Sequence, residues 1–173
     1  MGDRSQIVLD ADAIGRAIRR MSHEIIEQSG GSEHLKVVGI RRGGVALGAR
    51  LAAELQSAAG RPIEQGTVDI ALYRDDAATA LPDPKIGPSD ISFRVDGTDV
   101  VLVDDVLQTG RTIRAAMDCV LDYGRPRRIW LAVLCDRGGR ELPIGADFVG
   151  CVVQVGGHER LDVELADGAG DRV

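Results

Sequence analysis

A chain of 173 residues fits a single core able to bury roughly 70% of the surface its unfolded form exposes, so we expect one domain over residues 1–173. Hydrophobic content of 44% and charged content of 28% exclude a disordered or fibrous chain, and aromatics at 3% leave packing to Val, Ile, Leu and Ala. A formal net charge of −6 excludes general nucleic-acid affinity, although 21 Lys and Arg leave room for a local basic face.

The elements follow in chain order. Asp10 or Asp12 can cap a helix in which Ile14, Ile18, Met21 and Ile25 recur at helical spacing, with Gly30–Gly31 as its stop. LKVVGI, Leu35 to Ile40, reads as a buried strand; beyond the RRGG turn, Leu47, Leu51 and Leu55 mark a helix ending at Gly60. TVDIALY, Thr67 to Tyr73, alternates as a second strand. The proline-rich stretch at about 74–90 has almost no periodicity and is expected to be a flexible lid. ISFRV and VVLV flank Asp96–Gly97–Thr98–Asp99, which predicts a hairpin. Ile113, Ala116, Met117, Val120 and Leu121 form a helical stripe ending at Gly124. RIWLAVL, Arg128 to Leu134, reads as a buried strand; ADFVGCVVQV and ERLDVEL supply two more short strands, and the tail ADGAGDRV is expected to fray. Alternating strands and helices imply an α/β fold: a mainly parallel central sheet with helices on both faces and ligands at the C-terminal strand ends.

One such end carries the chemistry. In VVLVDDVLQTGRT, Val100 to Thr112, an aliphatic strand runs into two aspartates and then a short Gly-containing loop that opens a helix. Gln108, Thr109, Gly110, Arg111 and Thr112 can aim backbone N–H groups and hydroxyls at one phosphate, with the helix N-terminus adding partial positive charge. Asp104 and Asp105 at the rim would repel that phosphate but accept from neighbouring hydroxyls, so a sugar phosphate suits both halves. Adjacent strand residues point to opposite faces, so the two acids need not share a proton. Helix capping alone is the plainer alternative for such an acid.

VVLVDDVLQTGRT closely resembles the phosphoribosyl-pyrophosphate (PRPP) signature of the type I phosphoribosyltransferases. DIALYRDD, DDVLQTGRTIRAAMD and DYGRPRRIWLAVLCDRGGRELPIGADFVG narrow the likeness, over roughly Val37 to Gly150, to the bifunctional pyrimidine-operon regulator and uracil phosphoribosyltransferase family, PyrR. The resemblance implies a type I phosphoribosyltransferase fold with a C-terminal hood at about 136–166. It also implies transfer of 5-phosphoribosyl from PRPP to uracil, giving UMP and pyrophosphate with Mg²⁺. In that reading Asp104 and Asp105 hold the ribose hydroxyls and, through them, the metal. Val106, Leu107 and the Gln108–Thr112 cup bind PRPP, helped by Arg42 and Gly43 after the first core strand and by Tyr73. Arg74 closes over the pyrophosphate, and Arg137, Val152 and Val153 read the base.

The chain departs from the family twice. Arg42–Gly43–Gly44 stands where the family commonly has Thr-Arg-Gly, and Gly150–Cys151–Val152–Val153–Gln154–Val155–Gly156 replaces Gly-Lys-Asn-Val-Pro-Thr-Ser. A purine-using transferase and a PRPP or nucleotide sensor without turnover therefore stand beside the uracil reading.

The resemblance further implies binding of a pyrimidine-operon mRNA leader, for which Arg16, Arg19, Arg20, Arg125, Arg127, Arg128 and Arg140 are the candidate cations, and assembly as a homodimer or homotetramer. No DNA or membrane partner is expected, and with no apolar run of signal-peptide length the protein is expected to be cytoplasmic. Cys119, Cys135 and Cys151, sixteen residues apart, match neither a zinc half-site nor a disulfide frame and read as reduced core thiols. His23, His34 and His158 lack partners at metal spacing.

Overall fold

The computed structural model describes residues 6–73, 75, 89–156, 159–166 and 170–173. The chain runs α1 (Ala11–Ser29), β1 (Leu35–Ile40), α2 (Gly43–Ala59), β2 (Glu64–Val68), β3 (Asp99–Leu107), α3 (Arg111–Asp122), β4 (Arg128–Asp136) and β5 (Phe148–Val152). Five parallel strands stand in the order β2-β1-β3-β4-β5. From β1 the chain first moves outward to β2 and then returns to the other side of β1 as β3. The strand order thus reverses between β1 and β3, where α/β sheets open a crevice at their carboxyl ends.

Two apolar layers cover the sheet. Ile14, Ile18, Met21 and Ile25 of α1 and Leu47, Leu51 and Leu55 of α2 pack with Val37, Val101 and Val103. On the opposite face Ile113, Ala116 and Val120 of α3 pack with Val38, Val100 and Leu102. β3 lies between two strands and feeds both layers, which explains its aliphatic run.

The first helix is as expected: Asp10 Oδ1 accepts from the Ala13 N–H at 2.8 Å, and Gly30 closes the helix with φ +69°. The second strand is not. It occupies Glu64–Val68 rather than Thr67–Tyr73, because Asp69 Oδ1 accepts from the Ala71 N–H at 3.0 Å and turns the chain. The predicted hairpin is also absent. β3 is paired on both edges, to β1 and β4, so Ile91–Val95 has no edge to join; Phe93 and Val95 instead plug the α3-side core. ERLDVEL forms only an isolated bridge, Glu164 to Arg172, rather than a strand.

The tail is docked, not frayed, at its last residues. Val173 is buried and donates its N–H to the Leu9 carbonyl at 3.0 Å, and buried Asp171 pairs with Arg50. His23 and His34 lie at the surface, while His158 falls outside the described residues. Among the described residues no helix is long and apolar enough to cross a membrane.

Candidate active site

The carboxyl end of β3 forms one wall of a cavity of about 910 Å³, lined by Asp104 through Ile113 along the strand end, loop and first turn of α3. Gly110 adopts φ +90°, a left-handed turn that stops the strand and starts the helix. The first N–H groups of α3 have no partner within the helix, and residues Gly110 to Ile113 that carry them line the cavity. Thr109 Oγ1 accepts from the Arg111 N–H at 3.3 Å, holding the loop shut.

The two acids differ in surroundings. Asp104 is 6% exposed, and burial, reinforced by the negative charge of Asp105, holds its carboxyl well above the ordinary aspartate range. Asp105 is half-buried. The acids form a staircase on the backbone: Asp104 Oδ1 accepts from the Asp105 N–H at 3.0 Å, and Asp105 Oδ1 from the Val106 N–H at 2.7 Å.

The turn after β1 closes on Asp105. A Cβ on Gly43 would lie 1.9 Å from Asp105 Oδ2, so the first residue of α2 rests against the carboxylate. Gly44 approaches the strand itself: its missing Cβ would meet the Val103 carbonyl oxygen at 2.1 Å. Arg42 is exposed beside this contact.

On the other side the β4–β5 connection braces the loop. Thr109 O accepts from Glu141 N at 3.0 Å and Leu142 N at 3.1 Å. Arg140 is the clamp: it donates to Gln108 O at 3.0 Å, to Ile144 O at 2.8 Å and to Asp136 Oδ2 at 2.6 Å. The charged hydrogen bond from Arg140 keeps the Asp136 carboxyl below the usual range against the opposing effect of burial. Arg140 was a candidate for a basic nucleic-acid face; its place is inside the site wall. Only its separation of three residues from Arg137 in DRGGR hinted at this.

The other predicted residues divide. Arg137 lines the cavity and donates to Glu159 O at 3.2 Å. Arg111 lines it too, donating to Glu141 Oε2 at 2.6 Å and to Asp75. Val152 is exposed, whereas Val153 is half-buried and donates its N–H to Asp136 O at 2.9 Å. Tyr73 lies apart from the cavity lining: its hydroxyl donates to Asp122 Oδ2 at 2.6 Å in the last turn of α3, a bond that raises its pKa. Arg74 and most of the stretch at 74–90, where a lid was expected, lie outside the described residues. Arg160 through Glu164 also line the cavity; they fall within the hood expected at about 136–166, but none of them was singled out as a site residue.

Residues 5–164 match the family model for the phosphoribosyl transferase domain. The chain belongs to this family. It is 51% identical to the bifunctional protein PyrR of Roseiflexus sp., over 100% of this chain and 94% of that one. To its counterparts in Pelotomaculum thermopropionicum and Chloroflexus aurantiacus it is 49% and 51% identical, over 92% and 96% of this chain and 88% and 91% of theirs. Among solved structures it resembles a hypoxanthine phosphoribosyltransferase from Staphylococcus aureus, with TM-score 0.68 and 17% identity over 87% of this chain and 79% of that one. The Trypanosoma cruzi hypoxanthine enzyme gives TM-score 0.67 and 18% identity over 86% and 82%. At such identities the structural likeness speaks for the fold alone. The type I phosphoribosyltransferase architecture expected from VVLVDDVLQTGRT is therefore the observed one, and the chain is a phosphoribosyltransferase of the PyrR group.

Proposed function

We propose that this protein transfers the 5-phosphoribosyl group of PRPP to uracil, giving UMP and pyrophosphate. The observation that carries this reading is the carboxyl end of β3, where Asp104 and Asp105 stand beside a phosphate-sized loop and the Gly43 turn abuts Asp105. The relatives near 50% identity are PyrR proteins, which favours a pyrimidine over the purine alternative.

Displacing pyrophosphate at the anomeric carbon builds positive charge on the ribose ring and negative charge on the leaving group, so both need stabilising in the transition state. The ribose 5-phosphate would sit on the N–H groups of the Gln108–Thr112 loop. Its 2′ and 3′ hydroxyls would donate to Asp104 and Asp105. Burial disfavours charge on Asp104 in the free protein, so ionisation there is best supported once hydroxyl donors and a developing cation arrive. Arg42 would meet the leaving pyrophosphate, and Arg74 would cover it. Arg137 and the backbone at Val152 and Val153 would read the base.

The donor set fits Mg²⁺. Both acids are hard oxygen ligands, and among the described residues no cluster of three or more His, Cys, Asp or Glu is placed to hold a metal, so the cation would draw most of its ligands from substrate oxygens. When bound, Mg²⁺ would offset charge on pyrophosphate.

The decisive test is to incubate the purified protein with PRPP and Mg²⁺, offer uracil, hypoxanthine, guanine and adenine separately, and follow nucleotide and pyrophosphate. UMP alone is expected; turnover only with a purine, or PRPP binding with none, would sink the reading.

A second activity, UMP-promoted binding of a pyrimidine-operon mRNA leader, rests on a smaller surface than the sequence offered. Arg20 donates to Val149 O and Gly150 O, Arg127 pairs with Asp99, Arg128 stacks on Trp130, and Arg140 is in the site wall. The exposed Arg16 and Arg19 of α1 and the exposed Arg125 after α3 remain as candidates. A salt titration against leader and scrambled RNA tests it; equal affinities would remove the claim. For assembly, exposed Leu72, Leu121 and Tyr123 supply apolar surface for a homodimer or homotetramer, to be measured by light scattering.

A further inference from the structure

The sixteen-residue spacing of Cys135 and Cys151 suggested no disulfide frame, yet it equals the pitch from β4 to β5. In register they are direct partners, Cys135 opposite Cys151, and their sulfurs lie 3.0 Å apart. Neighbouring strands run about 4.8 Å apart, inside the Cα separation of about 4.4–6.8 Å that a disulfide needs. Forming the bond draws the sulfurs from 3.0 Å to about 2.05 Å, a contraction of about 1 Å between β4 and β5 side chains.

The two thiols are also unequal. Cys135 is fully buried beneath α1 and α2, whereas Cys151 is partly exposed on the outermost strand. Arg20 of α1 reaches over β5 to the carbonyls of Val149 and Gly150 just before Cys151; hydrogen bonding by Cys135, and then the Arg20 charge, hold the Cys151 thiol below its usual range against the effect of burial.

We propose that Cys135 and Cys151 form a reversible intramolecular disulfide that staples β4 to β5 and slows use of the base. Its position supplies the consequence: only Asp136↔Val152 follows in the ladder. Beyond that pair Arg137 lines the cavity, and Val153 donates its N–H back to Asp136 O at 2.9 Å. These are the segments assigned above to base recognition, so the functional half of the inference rests on that reading.

With a peroxide as oxidant, the Cys151 thiolate attacks one peroxide oxygen and the O–O bond breaks. The departing hydroxide takes a proton to leave as water, and Cys151 becomes a sulfenic acid. Cys135 sulfur then attacks Cys151 sulfur; the S–O bond breaks, the S–S bond forms, and a second water leaves with the Cys135 proton. Two thiols lose two electrons, peroxide gains them, and a dithiol reductant reverses the step.

The test treats the whole protein with hydrogen peroxide, blocks remaining thiols, and maps peptides with and without reductant. A Cys135-to-Cys151 linked peptide is expected, with Cys119 still alkylatable after denaturation. Oxidised protein should lose roughly tenfold in kcat/KM for uracil, less than the ~10²-fold that a full 1 Å misplacement of a binding group costs, because the cysteine side chains absorb part of the contraction. The KM for PRPP should hold, dithiothreitol should restore the rate, and Cys151→Ser should resist peroxide. Absence of the linked peptide, a link between chains, or a linked protein with unchanged base kinetics overturns the proposal. If reduced protein makes no UMP, the uracil reading has failed, and the peptide map still decides the disulfide.

Discussion

Gly43→Ala isolates the contact between the turn after β1 and Asp105 at the end of β3. The added methyl carbon would lie 1.9 Å from Asp105 Oδ2 and 2.3 Å from its Cγ, about 1.5 Å inside ordinary contact. The obstacle is a side chain, so Asp105 can swing away. Doing so breaks its 2.7 Å bond from the Val106 N–H, at a cost of about 1 kcal/mol. Alanine at the first position of α2 returns a comparable ~0.4–1 kcal/mol through the unfolded chain. Global stability should therefore change by less than about 1 kcal/mol. Activity should not be spared, because displacing a reacting or orienting group by 1 Å costs about 10²-fold. We expect kcat/KM for PRPP to fall by about 10²-fold, some 2.7 kcal/mol of transition-state stabilisation. Initial rates of UMP formation across PRPP concentrations, alongside a denaturant melt, read both quantities. In an Asp105→Asn background the methyl should cost far less, since the two positions act through one contact. A Gly43→Ala protein with near-parental kcat/KM, or penalties that multiply fully in the double variant, would refute the reasoning.

Asp104→Asn should trade function for stability. Because burial raises the Asp104 pKa, the stability its protonated form contributes is present at low pH and is lost as pH rises through the folded-state value. The Asn variant should thus melt higher than the parent at about pH 8 and match it near pH 3, while turnover collapses; an equal shift at both pH values would contradict this. Arg140→Lys should lose about 2 kcal/mol of stability and raise KM for PRPP more than it lowers kcat, because an ammonium cannot span Gln108 O, Ile144 O and Asp136 together; unchanged KM would show that the clamp does not shape the cup. Gly44→Ala should be the converse of Gly43→Ala: its Cβ would meet the Val103 carbonyl at 2.1 Å, a backbone group that cannot rotate away, so loss of stability by chemical denaturation is expected first.

What could be read in advance depended on how local the signal was. β1, α2 and α3 have apolar spacing and glycine punctuation of their own, and were legible nearly to the residue. The end of β2 was not, because the hydrophobic alternation through Ile70 and Leu72 persists past Asp69, whose side chain turns the chain. The false hairpin has a similar origin: Asp96–Gly97 is a real turn, with Gly97 at φ +71°, but both edges of β3 are taken by parallel neighbours distant in sequence. In the site, VVLVDDVLQTGRT is contiguous and displayed its cavity wall entire. Arg140 and the Cys135–Cys151 contact depend on how β4, its following loop and β5 fold over one another, and no window of sequence contains that information.

The same packing accounts for the departure from Thr-Arg-Gly after β1. Three glycines line the seam where α2 lies on the sheet: a Cβ on Gly39 would meet Gly44 O at 2.8 Å, one on Gly44 would meet Val103 O at 2.1 Å, and one on Gly48 would lie 3.4 Å from Gly39 Cα. Removing side chains along this line lets the start of α2 descend onto β1 and β3 until Gly43 touches Asp105. In that position any side chain at residue 43 must displace the Asp105 carboxylate, a long one most of all, while the preceding residue is exposed at the helix cap. Moving the arginine back one position to Arg42 is what this close approach requires. A guanidinium on a flexible stem can still reach toward the crevice from there. The RRGG sequence therefore reads as one solution to two demands at the β1–β3 switch point, a backbone packed against an aspartate and a cation kept near it.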